Sequence, residues 1–257
     1  MTQELPEIVR DWPQFLTAGV LVLMRVSGLL AFAPIFSSSA IAPRIKAGMA
    51  FAITLLLAPT VAAGARVTLD ASAILGELGI GVALGLFLMV LTESLAFAGM
   101  LIGMQFSFSL VNLLDPNTMI ETPVLGQMLN WLGIMVLVHA GLDRSLLTVL
   151  VETFRTVPVG RAMLSAGIGV ALAQLAGTVF VAGLQLAAPV MAAALTVEVT
   201  IALVGRLSPQ LPAMVVSIPL KTIASYVVLI GSLALWPGWI EAHFRALLGA
   251  AERAVVR

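Results

Sequence analysis

The sequence predicts an all-α membrane protein, and three observations predict it. Apolar runs long enough to span a bilayer fill most of the chain. The 257 residues are 60% hydrophobic and 10% charged, against roughly 45–50% and about 25% in soluble domains, so a soluble fold would lack the polar surface it needs. Between two of the runs lies a stretch, Gly103–Pro123, that holds Phe, Met, Asn and Asp but no Lys or Arg. A non-helical segment of that kind is tolerated at membrane depth only inside protein or beside water.

Taken in order, the first apolar segment is Pro13–Phe36, with Arg25 embedded in it. Met1–Asp11 carries Glu4, Glu7 and Asp11 against Arg10, and no A-x-A site follows the first run. A cleavable leader needs the opposite charge, so the run is expected to be retained. Ser37–Pro43 turns the chain into a second segment, Ile45–Ala63. The third, Ala73–Ile102, contains Glu77 and Glu93 and is longer than the roughly 20 residues of an upright span. Thr122 is a good N-cap and Pro123 fits the first helical position, so a fourth segment runs from there to about Leu142. The fifth, Met163–Leu203, again exceeds one bilayer thickness; Pro189 is expected to break it, and Glu198 lies near its end. The sixth, Pro212–Leu235, holds Pro219 and Lys221, and Trp236-Pro237-Gly238-Trp239 leads into a mixed amphipathic helix over 240–257.

Two overlong segments and charges at depth are a poor fit to a free-standing six-helix bundle, since each such charge costs at least about 2.5–3.5 kcal/mol at the bilayer centre. Bent hairpins packed against other subunits resolve both anomalies. Basic residues favour both ends on the cytoplasmic side: Arg10, Arg66, Arg144, Arg155, Arg161, Arg245, Arg253 and Arg257 then lie inside, against Arg44, Lys46, Arg206 and Lys221 outside.

Most chemistry is excluded. A net charge of +0 gives no footprint for nucleic acid. With no cysteine there is no disulfide, thiolate nucleophile or thiolate metal site, and His139 and His243 alone do not make a metal centre. No H-E-x-x-H, G-x-S-x-G or Walker loop occurs, so neither an enzyme nor a cofactor is expected. Gly76, Gly79, Gly81 and Gly85 follow no strand; close helix packing through Gly81-x-x-x-Gly85 and Gly99-x-x-x-Gly103 accounts for them better than a nucleotide site. His139 reads as a satisfied interfacial histidine. Arg25, Glu93, Glu198, Arg206 and Lys221 read as embedded charges that fix subunit or helix packing, with an ion relay as the competing role.

Gly103–Pro123 is different. Asp115-Pro116 marks a turn, and Ser, Asn and Gly weaken helix on either side. Met104, Phe106, Phe108 and Met119 give it an adaptable apolar surface suited to sealing an aqueous path. An amphipathic loop resting at the membrane interface accounts for the composition equally well.

At these residues the chain resembles the flagellar biosynthetic protein FliR family, together with its virulence-associated secretion relatives. The likeness is carried by Ala33-Pro34-Ile35-Phe36 through Ala42-Pro43-Arg44-Ile45-Lys46, and by Ala98-Gly99 through Asp115-Pro116 to Pro123-Val124-Leu125-Gly126. It continues in Val151-Glu152-Thr153-Phe154 with Val157-Pro158, and in Ala188-Pro189-Val190 through Gly205-Arg206-Leu207-Ser208-Pro209-Gln210 to Pro219-Leu220-Lys221. The chain departs from the pattern at Leu142-Asp143, where the family often has Gly-His, and at Leu211-Pro212, where it usually has Leu-Asn. The resemblance implies one domain over 1–257, built like fused FliP-like and FliQ-like helical hairpins within a helical hetero-oligomeric export gate. It implies FliP-like, FliQ-like and FlhB-like partners and unfolded flagellar proteins as cargo, with energy from a separate ATPase and the proton motive force. It places the assembly at the bacterial inner membrane, in the flagellar basal body, and a channel plug on 105–123. A secondary transporter for a small solute is the rival reading. It needs two matching halves with interrupted helices, and no internal repeat is visible.

Overall fold

Apolar runs without period-two alternation bond their backbones within each segment, the arrangement hydrocarbon demands, and helices result. The computed structural model describes residues 12–34, 36, 41–61, 67–106, 124–162, 166–208 and 213–256. Among these residues there are eight helices and no strand. They are α1 (Trp12–Phe32), α2 (Pro43–Val61), α3 (Ala71–Gln105), α4 (Val124–His139), α5 (Leu142–Thr156), α6 (Ala166–Leu207), α7 (Ala213–Leu233) and α8 (Trp236–Val256). Five are long and apolar enough to cross a membrane: α1, α2, α3, Ala173–Leu207 of α6 and Val216–Leu233 of α7. The broken pair α4–α5 makes a sixth if it counts as one span. The all-α membrane class and its roughly six apolar segments are therefore as the sequence predicts.

Three boundaries differ from expectation. The fourth segment stops at His139, because Gly141 adopts φ 67°, a left-handed turn open to glycine, and a further helix α5 begins beyond it. No break occurs at Pro189, and α6 runs through it. A proline removes one hydrogen bond and crowds the carbonyl four residues earlier. In an apolar span no water competes for the rest of the ladder, so the helix continues. The last helix begins at Trp236 rather than Ile240, with Pro237 in the first turn, where its missing N–H goes unused. The expected start at Thr122-Pro123 lies outside the described residues.

The chain forms two compact units. The first comprises Met1–Met89, Val138–Leu175 and Phe244–Arg257; the second comprises Val90–Leu137 and Ala176–His243. In the first, α1 packs on α2 and crosses the opening half of α3. A Cβ added at Gly28 would lie 2.8 Å from the Leu78 carbonyl oxygen and 2.9 Å from the Val82 nitrogen, and one at Gly85 would lie 2.7 Å from Phe32 Cβ. Gly81 rests directly on the Arg25 carbonyl. The packing role expected of Gly81 and Gly85 is thus realised: without side chains at these points the backbones come together. Leu21, Val22, Val26 and Leu29 of α1 and Ile80, Leu84 and Leu88 of α3 are buried. Helix α2 buries only Ala50, Thr54 and Ala58, one narrow stripe, and leaves Phe51, Leu55 and Leu56 exposed.

In the second unit, Gly99 on α3 lies against Gly126 on α4, and Gly183 on α6 lies 3.0 Å, as a virtual Cβ, from the Ser94 carbonyl of α3. Phe97 and Phe180 meet edge to face at 5.1 Å beside that contact. Gly103 is not a packing point: among the described residues nothing lies within 4 Å of a Cβ there. Helices α6 and α7 expose Phe180, Leu184, Leu195 and Leu203, and Ile218, Ile223, Val227 and Ile230. Such surface needs lipid or another protein over it.

Candidate functional site

Charges inside apolar spans are the first place to look for function, and the structure sorts the expected ones into two kinds. Arg25 of α1 is fully buried, at 0% exposure, as is Glu77 of α3. The stem of Arg25 shares the buried face of α1 with Leu21, Val22 and Val26. Its guanidinium keeps its charge in a protein, so burial demands acceptors. Nε donates to Glu77 Oε2 at 2.6 Å, Nη1 to Thr153 Oγ1 at 3.3 Å and Nη2 to the Val157 carbonyl at 3.0 Å. The Phe154 ring lies under the guanidinium, 4.1 Å from centroid to Cζ. Glu77 Oε1 accepts the Gly160 N–H at 2.8 Å, where Gly160 holds φ 80°. Each guanidinium nitrogen has an acceptor and each carboxylate oxygen a donor. Paired in this way, the cluster is suited to holding α1, α3, α5 and the turn after α5 in register rather than to passing protons.

The second pair is Lys221 of α7, whose Nζ donates to Glu198 Oε1 of α6. It joins the two helices that expose most apolar surface. Glu93, well inside α3, and Arg206, in the last turn of α6, are exposed and have no hydrogen-bond or ionic partner among the described residues. Of the five embedded charges, three are therefore paired within the chain, through Glu77 and through each other, and two have no partner among the described residues. His139 is exposed at the end of α4.

The segment without Lys or Arg begins at the end of α3, in the second unit. Met104 is exposed in the last turn of the helix, and Phe106, just past it, is 5% exposed. The Phe106 N–H donates to the Gly103 carbonyl at 3.2 Å, and its ring stacks on Tyr226 of α7 at 4.2 Å and 17°. Phe108, Asp115, Pro116 and Met119 lie outside the described residues. Nothing in the hydropathy pattern marked Tyr226. The available signal was that it is the chain's one tyrosine, set in an otherwise apolar helix. Hydropathy equally failed to mark Thr153 and Phe154, in a helix too polar to read as a span, and Gly160, in the turn that follows it.

His243 lies in α8, outside the candidate spans, and stacks on Trp239 at 4.2 Å. Burial pushes its pKa below the ordinary 6.5. The folded protein therefore binds this proton less readily than the unfolded chain. The stability contributed by neutral His243 is complete above pH 6.5 and is lost as pH falls below that value through the lowered folded pKa. Thermal melts are expected to show a drop between about pH 7.5 and about pH 5.5 that shrinks in His243→Phe, which keeps a ring on Trp239 and removes the titration. An identical drop in both proteins would rule this out.

The family model for bacterial export proteins, family 1, matches residues 16–247. The chain is 30% identical to the flagellar biosynthetic protein FliR of Escherichia coli (strain K12), over 82% of each chain. It is 29% identical to that of Pectobacterium carotovorum subsp. carotovorum over 86% of each, and 27% identical to that of Bacillus subtilis (strain 168) over 87% of each.

Proposed function

The chain belongs to the bacterial export proteins, family 1, and from that premise we propose that it is a membrane subunit of the gate through which flagellar proteins leave the cell. It is a component of flagellar protein export and a membrane protein, a transport and structural subunit rather than an enzyme. The observation that carries the reading is the family match across 16–247, joined to relatives named FliR over more than four-fifths of the chain. The finer reading is that it assembles with FliP-like and FliQ-like subunits and an FlhB-like switch protein. The site is the inner membrane, at the flagellar basal body, and the chain lines and closes the channel for unfolded flagellar subunits.

Physical features support assembly. Exposed apolar faces on α2, α6 and α7, together with Glu93 and Arg206, which are exposed and without a partner among the described residues, give surface that partners can cover and charges that partners can neutralise. The continuity of α6 through Pro189 also removes one interrupted helix that a small-solute transporter would use. Closure is assigned to the segment 105–123, which has no Lys or Arg, with Met104, Phe106, Phe108 and Met119 as apolar sealing groups and a turn at Asp115-Pro116.

Deleting Ser107–Asn117, which spares Phe106, is expected to raise ion leak through the gate assembled with its partners in a planar bilayer. Conductance equal to that of the intact gate would remove the plug. Solute flux through vesicles holding this chain alone would replace the gate with a transporter.

A further inference from the structure

Helix α3 is the most enclosed of the candidate spans, yet in the second unit one line along it is bare. Leu91, Leu95, Ala98 and Ile102 are completely buried, whereas Glu93, Met100 and Met104 are exposed and Ala96 is half-buried. Positions 93, 96, 100 and 104 fall three and four residues apart, so they share one face of the helix. That face is apolar except for the carboxylate at its head.

Glu93 has no hydrogen-bond or ionic partner among the described residues, and it lies inside a candidate span, where an unneutralised charge is costly. The second unit holds little that could neutralise it. Its basic residues are Arg206 and Lys221, against Glu93, Asp115, Glu121, Glu198 and Glu241. Lys221 is paired with Glu198, Arg206 makes no pair with Glu93, and the sequence that follows α3 supplies no Lys or Arg as far as Pro123. Lipid chains would cover the methionines but bring no positive charge. The charge balance of the unit therefore asks for a cation from elsewhere, carried on an apolar element.

We infer that this face of α3 is the seat of an apolar helix from a neighbouring gate subunit, whose Lys or Arg side chain lies against Glu93. The inference rests on the reading of the chain as a gate subunit and names the chemistry of one contact: a single basic residue on an otherwise apolar helix. Ala96, between Glu93 and Met100, keeps the face low enough for a helix to approach closely. Met100 and Met104 adjust to the apolar side chains they meet. Such a pair is desolvated, so removing one member leaves the other charged and buried, which shows chiefly as faster dissociation.

The test uses the chain co-purified with its FliP-like and FliQ-like partners in mild detergent. Glu93→Gln keeps the shape of the side chain and removes its charge, and is expected to shorten the lifetime of the assembly on dilution at least about tenfold. Glu93→Lys is expected to prevent assembly, and reversal of one basic residue in a partner span to Glu is expected to restore it. Failure of every such single reversal overturns the inference. A parent chain that binds neither partner overturns the gate reading and this inference together. A parent that assembles, with a Glu93→Gln variant equally long-lived, overturns the inference and leaves the gate standing.

A second readout leaves Glu93 in place. A benzoyl-substituted phenylalanine at position 100 of the assembled gate is expected to attach, on illumination, to a membrane span of a partner subunit. The attachment point should lie within about two turns of a Lys or Arg, the separation of Met100 from Glu93 along α3. Attachment to lipid alone, to another stretch of this chain, or to a partner span without a basic residue overturns the inference.

Discussion

Arg25→Ala is expected to destabilise the protein by about 3–5 kcal/mol, the usual cost of removing one member of a buried ion pair. The reason is what stays behind. Glu77 would keep a buried charge whose remaining donor is the Gly160 N–H, and the Val157 carbonyl would lose the donor that now reaches it. Glu77→Gln should act in the same direction, because its amide would turn a donor toward the Arg25 Nε–H. Removing both charges, as Arg25→Met with Glu77→Leu, leaves two backbone groups unsatisfied, at about 1–3 kcal/mol each, and no orphan charge. The double variant is therefore expected to lose much less than the sum of its own singles, Arg25→Met and Glu77→Leu. Denaturant titration of the purified assembly, followed by tryptophan fluorescence, measures all of these variants against the parent. Additive losses, or an Arg25→Ala protein as stable as the parent, would show that the cluster does not hold these helices together.

The second large effect is expected at the crossing of α1 and α3. Gly81→Leu should exceed the roughly 1–3 kcal/mol typical of an overpacked core, because the obstacle is backbone. The new side chain would run into the carbonyl of Arg25, which cannot rotate away. The helices would have to part, and Arg25 would be carried off its acceptors at the same time, so this variant should also abolish the protection of the Arg25–Glu77 cluster from exchange or proteolysis. Gly19→Ala is the control on α1. Among the described residues nothing lies within 4 Å of the added methyl, and better helix propensity should make it neutral or stabilising by up to about 1 kcal/mol. If Gly81→Leu melts with the parent, close approach is not what joins these helices.

Much of the candidate site was visible as residues and little of it as geometry. Arg25, Glu77, Glu198 and Lys221 stand out in any hydropathy reading because each is a charge where charges are costly. Their pairing does not. Arg25 and Glu77 lie 52 positions apart and Glu198 and Lys221 lie 23 apart, and no helical period links such positions. The same limit explains Pro189. The local rule for proline predicts a break, but the surroundings decide whether the remaining hydrogen bonds hold, and in an apolar span they do. Gly103 shows the reverse error: a spacing that suits close packing had no partner among the described residues, while Gly28, outside any such motif, had one.

The sequence by itself determined the class of molecule: helical, membrane-embedded, without a thiol, and with a segment free of Lys and Arg between its third and fourth apolar runs. These follow from composition and local period, because solvent preference and backbone hydrogen bonding act residue by residue. Only the tertiary structure decided which charges cancel within the chain, which glycines bring backbones together, and that Phe106 stacks on Tyr226. Each of those depends on two distant stretches arriving at one place, and a contact energy exists only once both are there.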